Sequence, residues 1–186
     1  MRHVIRRMKK RGFTLVELMI VVAIVGVLAV LAIYGVRKYI ANSKTTEARN
    51  SLGQISKDAA SAFEKESSTN TSVVTIGNTS SLLRNLCGTS SKVPAAVPQS
   101  SKYQSQPSDW SANTGWACLK FSMEQPQYYA YAYAASNTTA QAGAYSATAE
   151  GDLNGDNATS RFTVNGSVQS GALTTSPTIV ELNPEE

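Results

Sequence analysis

Glu17 is the side chain whose position in this sequence most needs a chemical explanation. It lies immediately before Leu18–Val36, an apolar run of about 19 residues that contains no charged side chain. As an α-helix at about 1.5 Å per residue, this run is about 28 Å long, close to the hydrocarbon thickness of a bilayer. An unpaired carboxylate is costly at the edge of such a run. We therefore expect Glu17 to have a partner.

Asp152, Asn154 and Asp156 form the second group with a chemical pattern. Oxygen ligands at alternate positions are how a calcium-binding loop begins. An EF-hand loop also needs Gly at its sixth position and Glu at its twelfth, where this sequence has Asn157 and Thr163. The residues thus offer half of a calcium motif, and calcium is the one cofactor they suggest. The alternative is a connection between strands, since Asn, Asp and Gly are common turn residues.

The segment around Glu17 resembles the prepilin signature of the type IV pilin and pseudopilin superfamily. A basic leader ends at Gly12, Phe13 follows, and the apolar run after Glu17 contains Gly26. The resemblance covers roughly the first 65 residues. A secretory signal peptide fits less well, because its apolar core normally has about 7–15 residues. A plain membrane anchor fits the topology but leaves Glu17 unexplained. The leader charges are Arg2, Arg6, Arg7, Lys9, Lys10 and Arg11.

The resemblance implies a processing step and a mode of assembly. A membrane-bound prepilin peptidase would cut between Gly12 and Phe13, and Phe13 would become the N-terminus, usually N-methylated in this family. The apolar helices of many copies would then pack side by side, with Glu17 paired to the Phe13 amine of a neighbour. A carboxylate in that apolar core needs such a partner. The other interpretation of Glu17 is a favourable interaction with the N-terminal end of the helix dipole.

The sequence departs from the family pattern at Tyr34, where many type IV pilins have proline. Gly26 matches the family's glycine, and Gly35 follows Tyr34. In several filaments the stretch between that glycine and proline loses its helix. Gly26 and Gly35 each weaken a helix by about 1 kcal/mol relative to alanine, so both are candidate positions for a softer break.

The charge and histidine content change when the leader is removed. The chain has 17 basic and 13 acidic residues, and its single histidine is His3. Without residues 1–12 it has 11 basic against 13 acidic side chains. The basic character therefore belongs to the leader and is no evidence for nucleic-acid binding. The mature chain would have neither a Ser–His or Cys–His pair nor a histidine metal ligand, so we expect no catalytic residues and no enzymatic activity.

A long helix is expected to carry the N-terminal segment. Residues 13–36 are predicted to be its membrane-spanning or filament-core part, and residues 37–66 its amphipathic continuation into the head. No proline interrupts residues 13–66. An apolar stripe recurs at steps of three and four in the second part, and it needs a partner surface. The stripe consists of Ala48, Leu52, Ile55, Ala59 and Phe63.

Residues 67–118 are predicted to be a loop-rich αβ region. Loops are expected at 67–81 and 88–115, with a short helix or turn at 81–86. Cys87 and Cys118 are the only cysteines. Outside the cytoplasm such a pair is most simply a disulfide, and closing about 31 residues would stabilise the fold by up to roughly 4 kcal/mol. A buried thiol pair and a metal site are the alternatives.

Residues 119–186 are predicted to form an antiparallel meander of about four strands with a mobile tail from Gly171. Tyr129, Tyr131 and Tyr133 share one face, which indicates packing of the sheet. A sheet laid on the helix stripe gives an α+β fold, which the resemblance also implies. The strands are expected at 119–123, 127–133, 144–149 and 160–164, with turns at 124–126, 136–143, 151–157 and 165–166.

The expected function is that of a structural subunit of a type IV pilus, which serves adhesion, motility or DNA uptake. The subunit would be held in the bacterial inner membrane as a prepilin and then assembled with copies of itself into an extracellular pilus. Its partners would be the prepilin peptidase and the pilus or secretion assembly machinery. The alternative is a pseudopilin of a type II secretion system, in a periplasmic pseudopilus. A single-span, membrane-anchored binding protein is a third interpretation.

Overall fold

The computed structural model describes residues 12–65, 84–136 and 142–184. They divide into two units, one ending at Ile40 and one beginning at Ala41. The loop predicted at 67–81 lies outside the described residues, as do parts of the segments predicted at 81–86 and 136–143. The fold is α+β, with a long N-terminal helix followed by an antiparallel sheet.

Helix α1, Leu15–Glu64, is the predicted long helix. From Gly12 to Ile40 every side chain is exposed, including all the large apolar ones. Among the described residues, α1 is the one helix long and apolar enough to cross a membrane. A helix that is apolar on all sides is stable only where lipid or other protein surrounds it.

From Ala41 onward α1 is amphipathic and contributes one face to the core of the second unit, which we call the head. The buried residues are the predicted stripe with Thr45 added. Thr45 can be buried because its hydroxyl donates a 2.8 Å hydrogen bond to the carbonyl of Asn42. The stripe and the buried face of the sheet form a single apolar cluster.

A six-stranded antiparallel sheet forms the other layer of this core. Its order is β1-β2-β3-β4-β5, and β6 also pairs with β4. Strand β4 is long enough for β6 to pair with its first half and β5 with its second half. Tyr129, Tyr131 and Tyr133 are fully buried on the face toward α1, so the prediction that they serve sheet packing is confirmed. The strands are β1 Ser90–Val93, β2 Ala130–Ser136, β3 Gly143–Gly151, β4 Ser160–Gln169, β5 Ala172–Thr175 and β6 Val180–Leu182.

The prediction of a loop over residues 88–115 is wrong. This stretch contains β1, helix α2 (Pro107–Ser111) and the start of helix α3 (Thr114–Leu119). Proline suits the first position of α2 because no helical hydrogen bond needs an N–H there. The amide of Gly115 donates a 3.1 Å hydrogen bond to the Asn113 side chain, which caps α3. Elements this short show no periodicity, and contacts from distant parts of the chain fix them.

The strand predicted at residues 119–123 is absent from the structure. Leu119 ends α3, and Lys120 adopts the left-handed conformation that closes the helix, with φ of 60°. Phe121 is buried for another reason: its ring packs edge-on against Trp110, with centroids 5.3 Å apart. Alternating apolar residues therefore mark burial here without a strand partner.

The turn predicted at Asn165–Gly166 lies inside β4, which extends to Gln169. The hairpin turns at Ser170–Gly171 instead, where both residues have positive φ. Gly166 is required because the ring of Tyr145 on β3 covers it, and a Cβ at this position would overlap that ring. This glycine in a strand marks a close approach rather than a turn.

The tail from Gly171 onward, predicted to be mobile, contributes β5 and β6. Glu181 of β6 accepts hydrogen bonds from Arg49 Nε at 2.7 Å and Arg49 Nη2 at 3.0 Å. This bidentate pair and the ladder with β4 hold a segment whose composition is polar.

Candidate functional site

The N-terminus of α1 is closed by a reciprocal pair of hydrogen bonds between Thr14 and Glu17. The amide and the hydroxyl of Thr14 each donate to Glu17 Oε2, both at 2.8 Å. In return, the amide of Glu17 donates to Thr14 Oγ1 at 3.3 Å. This is a capping box, which satisfies amides that the first helical turn would leave without partners.

The capping box gives Glu17 a partner within its own chain. The acid is therefore not an isolated charge at the edge of the apolar run, and it also lies at the favourable end of the helix dipole. We did not identify Thr14 from the sequence, although the Thr-x-x-Glu spacing before an apolar run is a known signal for this motif. Phe13 directly precedes Thr14 and is 86% exposed, so the chain on this side of the cap is open to a partner.

The apolar residues that follow Glu17 have no covering layer within the described chain. Leu18 is 61% exposed and Val30 is 69% exposed, values typical of the whole stretch. Burying one such side chain fully would stabilise the covered state by about 1.5–3 kcal/mol. More than a dozen exposed apolar side chains therefore supply a large free energy for insertion into lipid or for packing against other copies.

Gly26 and Gly35 lie within the unbroken helix α1, and no atom outside the helix approaches either glycine. A single chain therefore keeps its helix at both candidate break positions. A break in an assembled state stays a prediction.

The comparison with protein families matches this same segment. Residues 7–33 match the family model for the prokaryotic N-terminal methylation motif. The match includes Gly12, Phe13, the capping box and the first part of the apolar run. Residues 7–33 are thus similar to the N-terminal methylation segment of prepilins, and we call them the pilin segment.

Three curated relatives are similar to the pilin segment. The type IV major pilin protein PilA of Myxococcus xanthus (strain DK1622) is 57% identical over 44 residues, which is 24% of this chain and 20% of the relative. The type IV major fimbrial protein FimA of Dichelobacter nodosus is 50% identical over 46 residues, 25% and 30% of the two chains. The type IV major alpha-pilin of Moraxella bovis is 47% identical over 53 residues, 27% and 33% of the two.

The chain spans between a fifth and a third of the length of these relatives. The similarity thus covers about a quarter of this chain. No solved structure matches the chain significantly.

A disulfide joins Cys87 to Cys118 in the head, with the Cα atoms 5.8 Å apart. It links the segment before β1 to helix α3. The same region is held by Trp116, whose Nε1 donates to the carbonyl of Ser91 at 2.9 Å. The disulfide therefore fixes the αβ region beside the sheet.

The loop between β3 and β4 uses its carboxylates to hold its own backbone. Asp152 is 1% exposed, and its two oxygens accept the amides of Gly155 at 2.6 Å and Asn157 at 3.0 Å. Asp156 Oδ1 accepts the amide of Ala158 at 2.7 Å, and Asn154 Oδ1 accepts the amide of Asp156 at 3.0 Å. The bonds to Asn154 and Asp156 are Asx turns, and together with those to Asp152 they order the connection between the two strands.

No cluster of three or more potential metal-binding His, Cys, Asp or Glu side chains occurs within residues 12–65, 84–136 and 142–184. Asp152 and Asp156 are the two acids of the candidate set, and Asn154 adds an amide oxygen. Calcium at these three residues stays a prediction, and it would have to compete with the backbone amides for the same oxygens.

Two acids of the head differ in electrostatic environment. Burial raises the pKa of Glu47 and outweighs the hydrogen bonds that Glu47 accepts from the Tyr128 amide and Tyr131 Oη. Burial also acts to raise the pKa of Glu150, but hydrogen bonds from Lys92 and Arg161 lower it further, and the net shift is downward. The surroundings of Glu47 therefore stabilise its neutral form relative to water, whereas those of Glu150 stabilise its charged form.

Proposed function

We propose that this protein is a structural subunit of a type IV pilus that polymerises through the first half of α1 into a surface filament. The observation that carries the proposal is a helix whose first half is apolar and exposed on all sides, beginning at a capped glutamate next to a methylation motif. The names of the similar relatives, which are major pilins and fimbrial proteins, support the same function.

In this proposal the prepilin is held in the inner membrane and cut between Gly12 and Phe13 by a prepilin peptidase. Cleavage gives Phe13 a free amine, which is methylated. The pilus assembly machinery then removes the subunit from the lipid and packs it against other copies. The exposed apolar surface of α1 supports this sequence, because lipid and neighbouring helices can cover the same side chains in turn.

Glu17 would exchange partners during assembly. In the single chain its Oε2 accepts two hydrogen bonds from Thr14. In the filament it would accept the positively charged amine of a neighbour's Phe13, a stronger, charge-assisted bond in an apolar core. The exchange would set the register between neighbours, because the carboxylate and the amine each occur once per subunit in that core.

Mass spectrometry of the mature N-terminus tests the processing. The expected product begins at Phe13 and carries one added methyl group. The variant Gly12→Val serves as the control and should retain residues 1–12. A wild-type protein that keeps its leader would contradict the proposal and would favour the single-span binding protein.

Electron microscopy of sheared surface fibres tests the assembly. Removing one partner of a buried ion pair costs about 3–5 kcal/mol, so Glu17→Ala should give a processed, membrane-held subunit with at least about tenfold fewer fibres. Glu64→Ala, at the exposed end of the same helix, is the matched control and should assemble normally. Normal fibres from Glu17→Ala would refute the pairing.

The same micrographs distinguish the pilus from the type II secretion pseudopilus. Long fibres that are absent from a deletion strain support the pilus. If a processed subunit forms no surface fibres and the deletion strain loses secretion, the protein is a pseudopilin. Loss of adhesion, twitching motility or DNA uptake in the deletion strain would assign the role of the filament.

A further inference from the structure

Lys44 and Lys102 both lie over the ring of Tyr128. Each ammonium nitrogen is 4.8 Å from the centroid of that ring. Lys44 belongs to α1, Lys102 precedes α2, and Tyr128 precedes β2, so three separate parts of the head contribute. We call these three residues the lysine–tyrosine cluster. Cation–π attraction holds both ammonium groups near the ring and limits their conformational freedom.

Glu47 is the acid that interacts electrostatically with Lys102, and its hydrogen bonds are directed into the head. Glu47 is turned into the head, where it accepts the Tyr128 amide at 2.9 Å and Tyr131 Oη at 3.2 Å. Lys102 acts on Glu47 electrostatically and lowers its pKa, but burial has a larger effect in the opposite direction. Within the described part of the chain, no carboxylate forms an ion pair with Lys44 or Lys102. The lysine–tyrosine cluster is therefore a local positive charge that can accept an anionic partner.

The covalent chain keeps the lysine–tyrosine cluster close to the apolar run. Lys44 lies eight residues after Val36, the last residue of that run. Along helix α1, eight residues advance only about 12 Å at about 1.5 Å per residue. A subunit whose apolar run is in a bilayer must therefore keep Lys44 near the bilayer surface. Lysine and tyrosine are both suited to that surface, since each has an apolar body and a polar end.

We propose that the lysine–tyrosine cluster binds the phosphate groups of anionic phospholipids while the subunit is held in the membrane. The proposal rests on the proposed function, because it needs the apolar run to be in lipid. Overall charge does not explain such binding, since the chain without its leader has more acidic than basic residues. Binding to an anionic surface therefore needs a local concentration of positive charge, which the lysine–tyrosine cluster supplies. Each lysine near such a surface increases the binding constant for the anionic lipid about fivefold.

Lysine footprinting of the full chain in lipid nanodiscs tests the proposal. The protein is acylated in nanodiscs of phosphatidylcholine alone and in nanodiscs with added phosphatidylglycerol. We expect Lys44 and Lys102 to react about fivefold more slowly when the anionic lipid is present, and high salt to remove the difference. Lys57 and Lys120 are exposed lysines elsewhere in the head and serve as internal controls that should not change.

Two variants at Tyr128 test whether Lys44 and Lys102 bind the lipid as one cluster that needs the aromatic ring, or as two independent lysines. Tyr128→Phe keeps the aromatic ring and should keep the protection of both lysines. Tyr128→Leu removes the ring, and the protection should fall toward that of the control lysines. Fluorescence of Trp110 and Trp116, both in the head, verifies that each variant is folded.

The possible outcomes are distinguishable. Equal labelling in both kinds of nanodisc overturns the proposal and leaves the pilus function untouched. Protection that depends on protein concentration rather than on lipid charge also overturns it, and assigns the surface to a second copy of the chain. A processed protein that does not stay with the nanodisc contradicts both the lipid contact and the membrane-held stage of the proposed function.

Discussion

The two halves of helix α1 have the same secondary structure and opposite surroundings. Up to Ile40 every residue of the helix is exposed, and from Leu18 to Val36 it is apolar on all sides, whereas from Ala41 it buries one stripe against the sheet. Their acids differ in the same way. Glu17 caps the helix at its exposed start, and Glu47 is partly buried beneath Tyr128. The first half therefore needs lipid or another protein to cover its apolar side chains, whereas the second half forms part of the core of the head.

The largest test of this comparison is a matched pair of truncations in α1. Phe63→Ala removes a fully buried side chain and should lower the free energy of unfolding of the head by about 3–5 kcal/mol. Val25→Ala removes an exposed side chain from the first half and should leave head stability unchanged. Denaturation in detergent, followed by the fluorescence of Trp110 and Trp116, measures both. Equal losses would mean that the two halves do not differ as the structure indicates.

The disulfide tests how far the second half of α1 and the αβ region unfold together. Replacing both Cys87 and Cys118 by serine should lower head stability by up to about 4 kcal/mol, because the unfolded chain gains the freedom of a loop of 31 residues. The fluorescence transition and the loss of helical circular dichroism in the head should shift together. A shift of the fluorescence alone would separate the αβ region from the helix.

Asp152 gives a smaller effect within the head. Asp152→Ala removes the acceptor of two backbone amides in a buried position and should cost about 1–3 kcal/mol. Because those amides already occupy the carboxylate, millimolar calcium should not change the melting temperature of the wild type. A calcium-dependent rise that Asp152→Ala abolishes would instead establish the site at Asp152, Asn154 and Asp156.

The smallest effects are pH dependences of opposite sign at Glu47 and Glu150. Both have an ordinary pKa of 4.5. The pKa of Glu47 is raised in the head, so its contribution is present below pH about 4.5 and is lost as the pH rises through the higher folded value. The pKa of Glu150 is lowered, so its contribution is present above pH about 4.5 and is lost as the pH falls through the lower folded value.

Urea denaturation across pH 3–8 measures these contributions, which should each be at most about 1 kcal/mol. Glu47→Gln keeps an acceptor for the Tyr128 amide and should flatten the dependence above pH about 4.5. Glu150→Gln should flatten the dependence on the acidic side. If the two variants leave both slopes unchanged, other groups dominate the titration.

The fold could be predicted best where a pattern of apolar residues continues over many positions of the sequence. The apolar run and the stripe from Ala48 to Phe63 each repeat over several turns, and the structure has α1 where they predict it. The predictions for β2, β3 and β4 overlap the observed strands, but apart from the start of β4 at Ser160 their ends differ from the observed ends. The elements that we missed, β1, α2, α3, β5 and β6, have no more than six residues each, too few for a period to be recognised.

The sequence alone determined the pilin segment, the length of the helix and the absence of histidine after residue 12, because these depend on residue types and local spacing. The tertiary structure decided what local spacing cannot encode. Asn165–Gly166 is part of β4, where the ring of Tyr145 covers Gly166. In the polar tail, Glu181 of β6 binds Arg49 of α1. The side chains that meet at each of these places are far apart in sequence, and only the folded chain brings them together.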